Sequence, residues 1–318
     1  MVSNDDILKS IPNLLKGTDY DFGKKHIGKV RDTYILPDKR IIITTDRQSA
    51  FDRVLGHIPF KGAVLNELAN FWFERTSDII GNHMISVPDP NVSIVKNCEL
   101  VPIEMVVRGY ITGITDTSIW GSYEKGERVI YGIKFPDGLK KNQKLPEPVI
   151  TPTTKSDTGH DERLTEDEII ERGIVSEEIW EQMKSAALAV FKRGSEICDE
   201  AGIILADTKY EFGTRDGKLV LIDEVHTPDS SRFWMKSTYE ARLAAGQEPE
   251  GYDKEPLRIW FKEQGYSGEG EPPVMPDEFL AKMSELYQRI YEKITCKTFE
   301  SFEYPINERI KENIQKAL

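Results

Sequence analysis

Cysteine is scarce: Cys98, Cys198 and Cys296 stand far apart in a chain of 318 residues, and no CxxC pair exists. That argues against a disulfide framework or a zinc knuckle and points to a reducing cytoplasm. No apolar run approaches the length of a membrane span, so no membrane association is expected. The opening MVSNDDILKSIPNLL has no basic stretch ahead of an apolar core, so no secretory signal is expected either. The patterns GxxxxGK[ST], GxGxxG and HExxH are all absent. Positive charge is outnumbered, 42 Lys and Arg against 54 Asp and Glu, for a net charge of −12. General nucleic-acid binding needs a basic surface and is not expected. Anionic small substrates remain open, because local cations can focus a positive field inside an acidic protein.

A hydrophobic content of 39% with 30% charged residues fits a soluble globular chain. The length suggests one large domain with lobes, or two domains. The richest stretch is LADTKYEFGTRDGKLVLIDEVHTPDSSRFW, Leu205 to Trp234. Two apolar runs, Ile203 to Ala206 and Leu219 to Ile222, each lead into acidic residues. Two adjacent strands would deliver Asp207, Glu211 and Asp223 to one sheet edge. Carboxylates crowded there repel unless positive charge sits among them. Mg²⁺ suits this, since it takes one or two carboxylates plus substrate phosphates. A charged hairpin in solvent is the competing reading.

Other stretches carry weaker signals. Residues 1–16 read as a short helical lead-in. His26 to Tyr34 alternates like a strand, Pro37-Asp38-Lys39 turns, and Arg40 to Thr45 returns. Within it, Gly28-Lys29-Val30-Arg31 could lay amides and two cations along a polyphosphate, or be a solvated strand face. Thr45 to Asp52 (TDRQSAFD) reads as a substrate-contacting loop, with a Ser49 helix cap as the alternative. An amphipathic helix follows within Ile58 to Phe73. Leu100 to Val107 is a buried-strand pattern closed by Arg108-Gly109, a place for an anionic ligand or a structural ion pair. Residues 132–152 read as an extended excursion, and the following Thr151 to Glu162 is too polar for core. Thr165 with Glu168 makes a capping box. A long helix runs from about Ser176 to Ala201 with Gly202 as its stop. The stretch after Trp234 reads as charged and helical, with no chemistry assigned to it.

In order, GKVRDTY (28–34), TDRQSAFD (45–52), VPIEMVVRGYITG (101–113), LPEPVITPTTKSD (145–157), LADTKYEFG (205–213) and LIDEVHTPDSSRFW (221–234) resemble one enzyme family, SAICAR synthetase (phosphoribosylaminoimidazole-succinocarboxamide synthase) of purine biosynthesis. YDKEPLRIWF (252–261) looks like the tail of its longer members. The resemblance implies an α+β fold: a small antiparallel β lobe (1–104), a larger α/β lobe (105–318), and ATP in the cleft between them. It implies an ATP-dependent ligase joining the carboxylate of the ribonucleotide CAIR to the amine of L-aspartate, giving SAICAR, ADP and phosphate, with an acyl phosphate as the expected intermediate.

The implied roles are these. Lys29, Arg31 and Lys155 hold ATP phosphates. Leu100 to Glu104 presents backbone to adenine. Glu211 and Asp223 bind Mg²⁺, with Asp207 beside them; Lys209 and Asp207 are the catalytic candidates. Arg108, Ser118, Lys209, Asp229 and Arg232 contact CAIR. Asp46, Arg47, Ser49 and Lys61 line the remaining substrate face. The partners are small molecules, with no obligatory protein partner inferred. This chain departs from the family at Ile114-Thr115-Asp116-Thr117, an insertion before Ser118. A small-molecule kinase and a non-catalytic nucleotide-binding module are the rival classes; a need for an amine co-substrate would separate the first, and Mg²⁺-dependent turnover the second.

Overall fold

The computed structural model describes residues 1–51, 53–114, 117–155 and 162–318. Asp52 of the TDRQSAFD motif, Thr115 and Asp116 of the insertion, and Ser156 to Asp161 with His160 lie outside the described residues. Helix α1 (Asn4–Ser10) starts on the Ser3 hydroxyl, which accepts from the Asp6 amide. Strands β1 (Lys24–Ile27), β2 (Arg31–Ile35) and β3 (Lys39–Thr44) follow; the single strand expected from His26 to Tyr34 breaks at Gly28–Val30. Here Gly28 donates its amide to the Arg31 carbonyl at 2.8 Å, turning the chain. The expected loop at 45–52 is instead half of a hairpin, β4 (Arg47–Ala50) and β5 (Arg53–His57). All four residues of β4 are buried, so polarity there marks an internal site and not an exposed loop. Ser49 caps no helix. Helix α2 (Lys61–Arg75) starts after Phe60, which has φ 62° and gives no side-chain cap.

β6 (Met84–Asp89) and β7 (Val92–Lys96) complete an antiparallel five-stranded sheet in the order β1-β2-β3-β7-β6. β8 (Glu99–Tyr110) runs through residue 104, the expected lobe boundary, without a break. It is an interior strand of the second sheet, between β11 and β12. After α3 (Ile119–Glu124) and a short pair, β9 (Val129–Ile130) with β10 (Ile133–Lys134), comes β11 (Lys144–Thr154). The extended excursion expected over 132–152 includes most of this strand. Pro146, Pro148 and Pro152 are tolerated because β11 is an edge strand whose register with β8 shifts between Lys144 and Val149.

The expected capping box opens α4 (Glu166–Glu171), and Ser176 caps α5 (Glu177–Glu200). β12 (Ile203–Arg215), β13 (Lys218–Ile222) and β14 (Ser231–Met235) finish the second sheet, ordered β11-β8-β12-β13 with β14 also on β12. α5 buries Trp180, Met183, Ala187, Val190 and Gly194 against this sheet. The C-terminal helices α6 (Lys236–Ala244), α7 (Glu255–Glu263), α8 (Asp277–Thr295) and α9 (Asn307–Ala317) close the molecule. Ile306, Ile310 and Ile314 cover the first sheet in one cluster with Tyr34, Ile41, Ile43, Val92 and Ile94. The mixed α+β architecture with antiparallel sheets is the expected fold class. Among the described residues no helix is long and apolar enough to cross a membrane.

Candidate active site

β12 organises the site. Alternation along a strand puts Asp207, Lys209 and Glu211 on one face, and the neighbours of β12 bring partners to each. Asp207 lies opposite Arg108 of β8 and Arg232 of β14, and Glu211 lies opposite Glu104 of β8 and Ile222 of β13. Two charge networks result.

In the first, the Lys209 ammonium lies 3.0 Å from Glu104 and 3.7 Å from Asp223, and also donates to Glu211. Lys155 donates to the other oxygen of Glu211. Arg31 spans two carboxylates, 2.7 Å from Asp223 and 2.8 Å from Glu224. Burial works to discharge Lys209, but Asp223, Glu104 and Glu224 outweigh it and raise its pKa above the lysine value. Burial would likewise protonate Asp223, but Arg31, Lys209 and Lys155 hold its pKa well below the usual carboxylate range. Asp223 adopts φ 66°, a left-handed backbone that a non-glycine residue adopts at a cost.

In the second network Arg232 lies 2.6 Å from Asp207, and Arg108 lies 3.5 Å from the same oxygen. Arg108 also donates to the Thr151 hydroxyl at 2.8 Å and the Thr117 carbonyl at 3.0 Å. Ser118 is buried beside it and caps α3 through the Gly121 amide at 3.2 Å. A Cβ at Gly113 would sit 2.7 Å from the Ser118 Cβ and 3.3 Å from Arg232, so the three residues are in close register. Asp207 was expected beside the metal carboxylates. It stands four residues from Glu211, roughly 13 Å along the strand, and serves the arginines instead.

A third cluster surrounds Asp229. Lys61 lies 2.8 Å and Lys254 3.0 Å from one carboxylate oxygen, and the Tyr287 hydroxyl donates to the other at 3.1 Å. Burial pushes the Lys61 pKa down to about 8, aided by Lys254 and opposed by Asp229. Burial would raise the Asp229 pKa, but Lys254 and Lys61 carry it well below the carboxylate range.

A cleft of about 620 Å³ joins these clusters; Lys29, Ser49, Glu104, Lys209, Asp229 and Arg232 reach its walls. Four expected residues sit differently. Asp46 is fully buried and accepts from the Leu15 and Gly62 amides and the Tyr304 hydroxyl, so it ties frame elements together. Arg47 points away from the cleft into the loop behind Lys29. The Lys61 side chain is fully buried beneath Asp229. Arg31, expected on phosphates, is committed to Asp223 and Glu224. Leu100 is half-exposed on β8. The sequence reading missed Lys254, Arg258 and Tyr287, the first two of which stand in YDKEPLR; the alternating charges of that stretch were the available signal. It also left Lys141 unassigned, which lines the cleft with Arg258 and Lys262.

Glu211 and Asp223 fit Mg²⁺ chemically. Their donors are all oxygen, and the cations now between them mark a place where positive charge neutralises both. Among the described residues no group of three His, Cys, Asp or Glu side chains converges as a cage.

A family model for SAICAR synthetase matches residues 24–273. The phosphoribosylaminoimidazole-succinocarboxamide synthase of Legionella pneumophila (strain Paris) is 51% identical over 312 residues, 97% of this chain and 100% of that protein. The SAICAR-synthase from Saccharomyces cerevisiae complexed with SAICAR superposes with a TM-score of 0.80 at 31% identity, covering 90% of this chain and 100% of that one. A SAICAR synthetase in complex with ADP superposes with a TM-score of 0.67 at 26% identity, covering 87% of this chain and 100% of that one.

Proposed function

The chain belongs to the SAICAR synthetase family, and we propose how its cleft performs ATP-dependent SAICAR formation, the ligase step of purine biosynthesis. ATP is the co-substrate. One observation carries the assignment of roles: Lys29, between β1 and β2 of the first sheet, meets Glu104, Lys209 and Arg232 of the second sheet in one cleft.

A carboxylate is a poor electrophile, so the CAIR carboxylate is first activated. Its oxygen attacks the γ-phosphorus of ATP, the bond to ADP breaks, and an acyl phosphate forms. The aspartate amine then attacks the carbonyl carbon, the bond to phosphate breaks, and the nitrogen gives up a proton. Both steps need positioning and charge neutralisation more than covalent participation by the protein. The Gly28–Val30 loop with Lys29, and Lys155 from the end of β11, hold the ATP phosphates. The β8 backbone near Leu100 faces adenine. Arg232, Arg108 and Ser118 bind CAIR, and Asp207 fixes both guanidinium groups. Lys209 stands beside the reacting carboxylate and offsets its charge. Lys254, Arg258 and Lys141 line the wall available to the second anionic substrate. Mg²⁺, held by Glu211 and Asp223, supplies charge neutralisation at the phosphates when bound. Asp229, paired with two lysines and held ionised, is a scaffold charge and a weak base. We place the enzyme in the cytoplasm, acting on small molecules, and infer no obligatory protein partner.

The test is ADP release with ATP, Mg²⁺, CAIR and L-aspartate, omitting each in turn. Release that requires all four, with SAICAR formed, is the expected result. ADP released at the same rate without aspartate would replace this reading with a kinase or ATPase.

A further inference from the structure

Arg47 is buried, and its guanidinium makes four hydrogen bonds to the chain around it. Nε donates to the Lys29 carbonyl at 3.1 Å, one terminal nitrogen to the Lys16 carbonyl at 3.0 Å, and the other to the Gly28 carbonyl at 3.0 Å and to Asp32 at 2.8 Å. On their other side Lys29 and Val30 line the cleft. The loop is therefore gripped from behind through its carbonyls while its front faces the cleft. The Val30 carbonyl is held separately by Thr45, whose amide and hydroxyl donate at 2.9 and 2.8 Å. The planar guanidinium fork reaches acceptors spread over Lys16, Gly28, Lys29 and Asp32 from three separate nitrogens; a lysine carries its donors on one nitrogen and cannot span them.

The main chain of the same residue has a different partner. Its carbonyl accepts from the buried Lys61 ammonium at 3.1 Å, and Lys61 in turn holds Asp229. One residue thus touches the loop behind the nucleotide side through its side chain and the Asp229 cluster through its backbone.

We infer that Arg47 is a positioning residue that sets the curvature of the Gly28–Val30 loop, so that the loop offers its cleft side to the phosphates of ATP. This rests on the proposed assignment of that loop to ATP. Arg47 touches no substrate. Replacing its side chain releases the loop carbonyls but leaves the backbone bond to Lys61, so the effect falls on one substrate only.

The experiment compares Arg47→Lys with Lys29→Ala and the parent enzyme by steady-state kinetics in ATP and in CAIR, with ADP affinity measured by calorimetry. Loss of charge-assisted bonds of this kind is expected to raise KM for ATP and weaken ADP about tenfold or more, with KM for CAIR within about twofold. A merely structural role would move both substrates together or neither. If Lys29→Ala weakens ATP and Arg47→Lys does not, the inference is overturned and the loop assignment stands. If neither variant affects ATP, the loop assignment itself falls. Should Arg47→Lys fail to fold, Asp32→Asn removes the charge from one of the four partners; a smaller rise confined to the ATP KM supports the inference, and an unchanged or equally shared effect overturns it.

Discussion

The Lys61 ammonium lies 2.8 Å from the Asp229 carboxylate, with side-chain exposures of 0% and 3%. Neither charge has water to fall back on, so each depends on the other. Lys254 and Tyr287 complete the set from the start of α7 and from α8. Replacing Asp229 by Asn leaves two lysines facing each other without a counter-charge. A loss of about 3–5 kcal/mol is expected for removing one member of a buried pair. Urea unfolding measures it, and Lys61→Met in the Asp229→Asn background should recover part of the loss. A loss near zero for the single variant would mean that the pair is not held as described.

His226 is fully buried in the loop between Asp223 and Asp229. It shares a 2.5 Å hydrogen bond with the Tyr210 hydroxyl and packs against Trp72 with ring centroids 4.7 Å apart. Burial pushes its pKa down to about 3. The unfolded chain takes up a proton below the ordinary value of about 6.5, while the folded state does not. The stability that goes with the neutral ring is thus intact above pH 6.5 and drains as pH falls toward 3, by up to about 1.4 kcal/mol per pH unit. His83, also pushed down to about 3 by burial, adds to the same limb. His226→Leu should flatten the acid limb by one histidine's share in urea midpoints taken at pH 7, 5.5 and 4.5. An identical slope in both proteins would show that His226 titrates normally in the fold.

Asp223→Asn removes one proposed Mg²⁺ ligand and one partner of Arg31. The Mg²⁺ concentration for half-maximal ADP release should rise about tenfold or more, by analogy with losses at supporting groups of metal sites. Circular dichroism should report an intact fold. An unchanged Mg²⁺ dependence would take Asp223 out of the metal assignment.

Arg232→Lys keeps a positive charge but loses the planar fork that contacts Asp207 at 2.6 Å. The KM for CAIR should rise about tenfold, while the KM for ATP stays close to the parent value. Equal rises in both would move Arg232 away from the CAIR side.

Much of the site was readable before any coordinates. The sequence placed Asp207, Glu211 and Asp223 at one sheet edge; the two-residue repeat of a strand, which puts Asp207, Lys209 and Glu211 on one face, was a signal left unread. Thr165, Ser176 and Gly202 marked helix ends because they satisfy or release local backbone groups. Asp207, Glu211 and Asp223 were placed together because two apolar runs led into acidic residues; β12 and β13 pair beside Glu211 and Asp223, while Asp207 lies with Arg108 and Arg232. Other features misled. The polar run at Arg47–Ala50 looked like a loop and is a buried strand, while the extended excursion of 132–152 was given no sheet partner and pairs with β8 as β11, an edge strand that tolerates its prolines.

What the sequence determined alone was everything that depends on neighbours a few residues apart: helix caps, strand faces, the family motifs and the chemistry they imply. Only the tertiary structure decided which charges meet. Register between β8, β12 and β14 gave Asp207 to Arg108 and Arg232 and left Glu211 with Lys155 and Lys209. Docking of α7 and α8 brought Lys254 and Tyr287 to Asp229, 25 and 58 residues away. Such pairings depend on how whole elements bury their apolar faces, and the strength of a charge pair depends on the burial that results. Neither is written in the local spacing of residues.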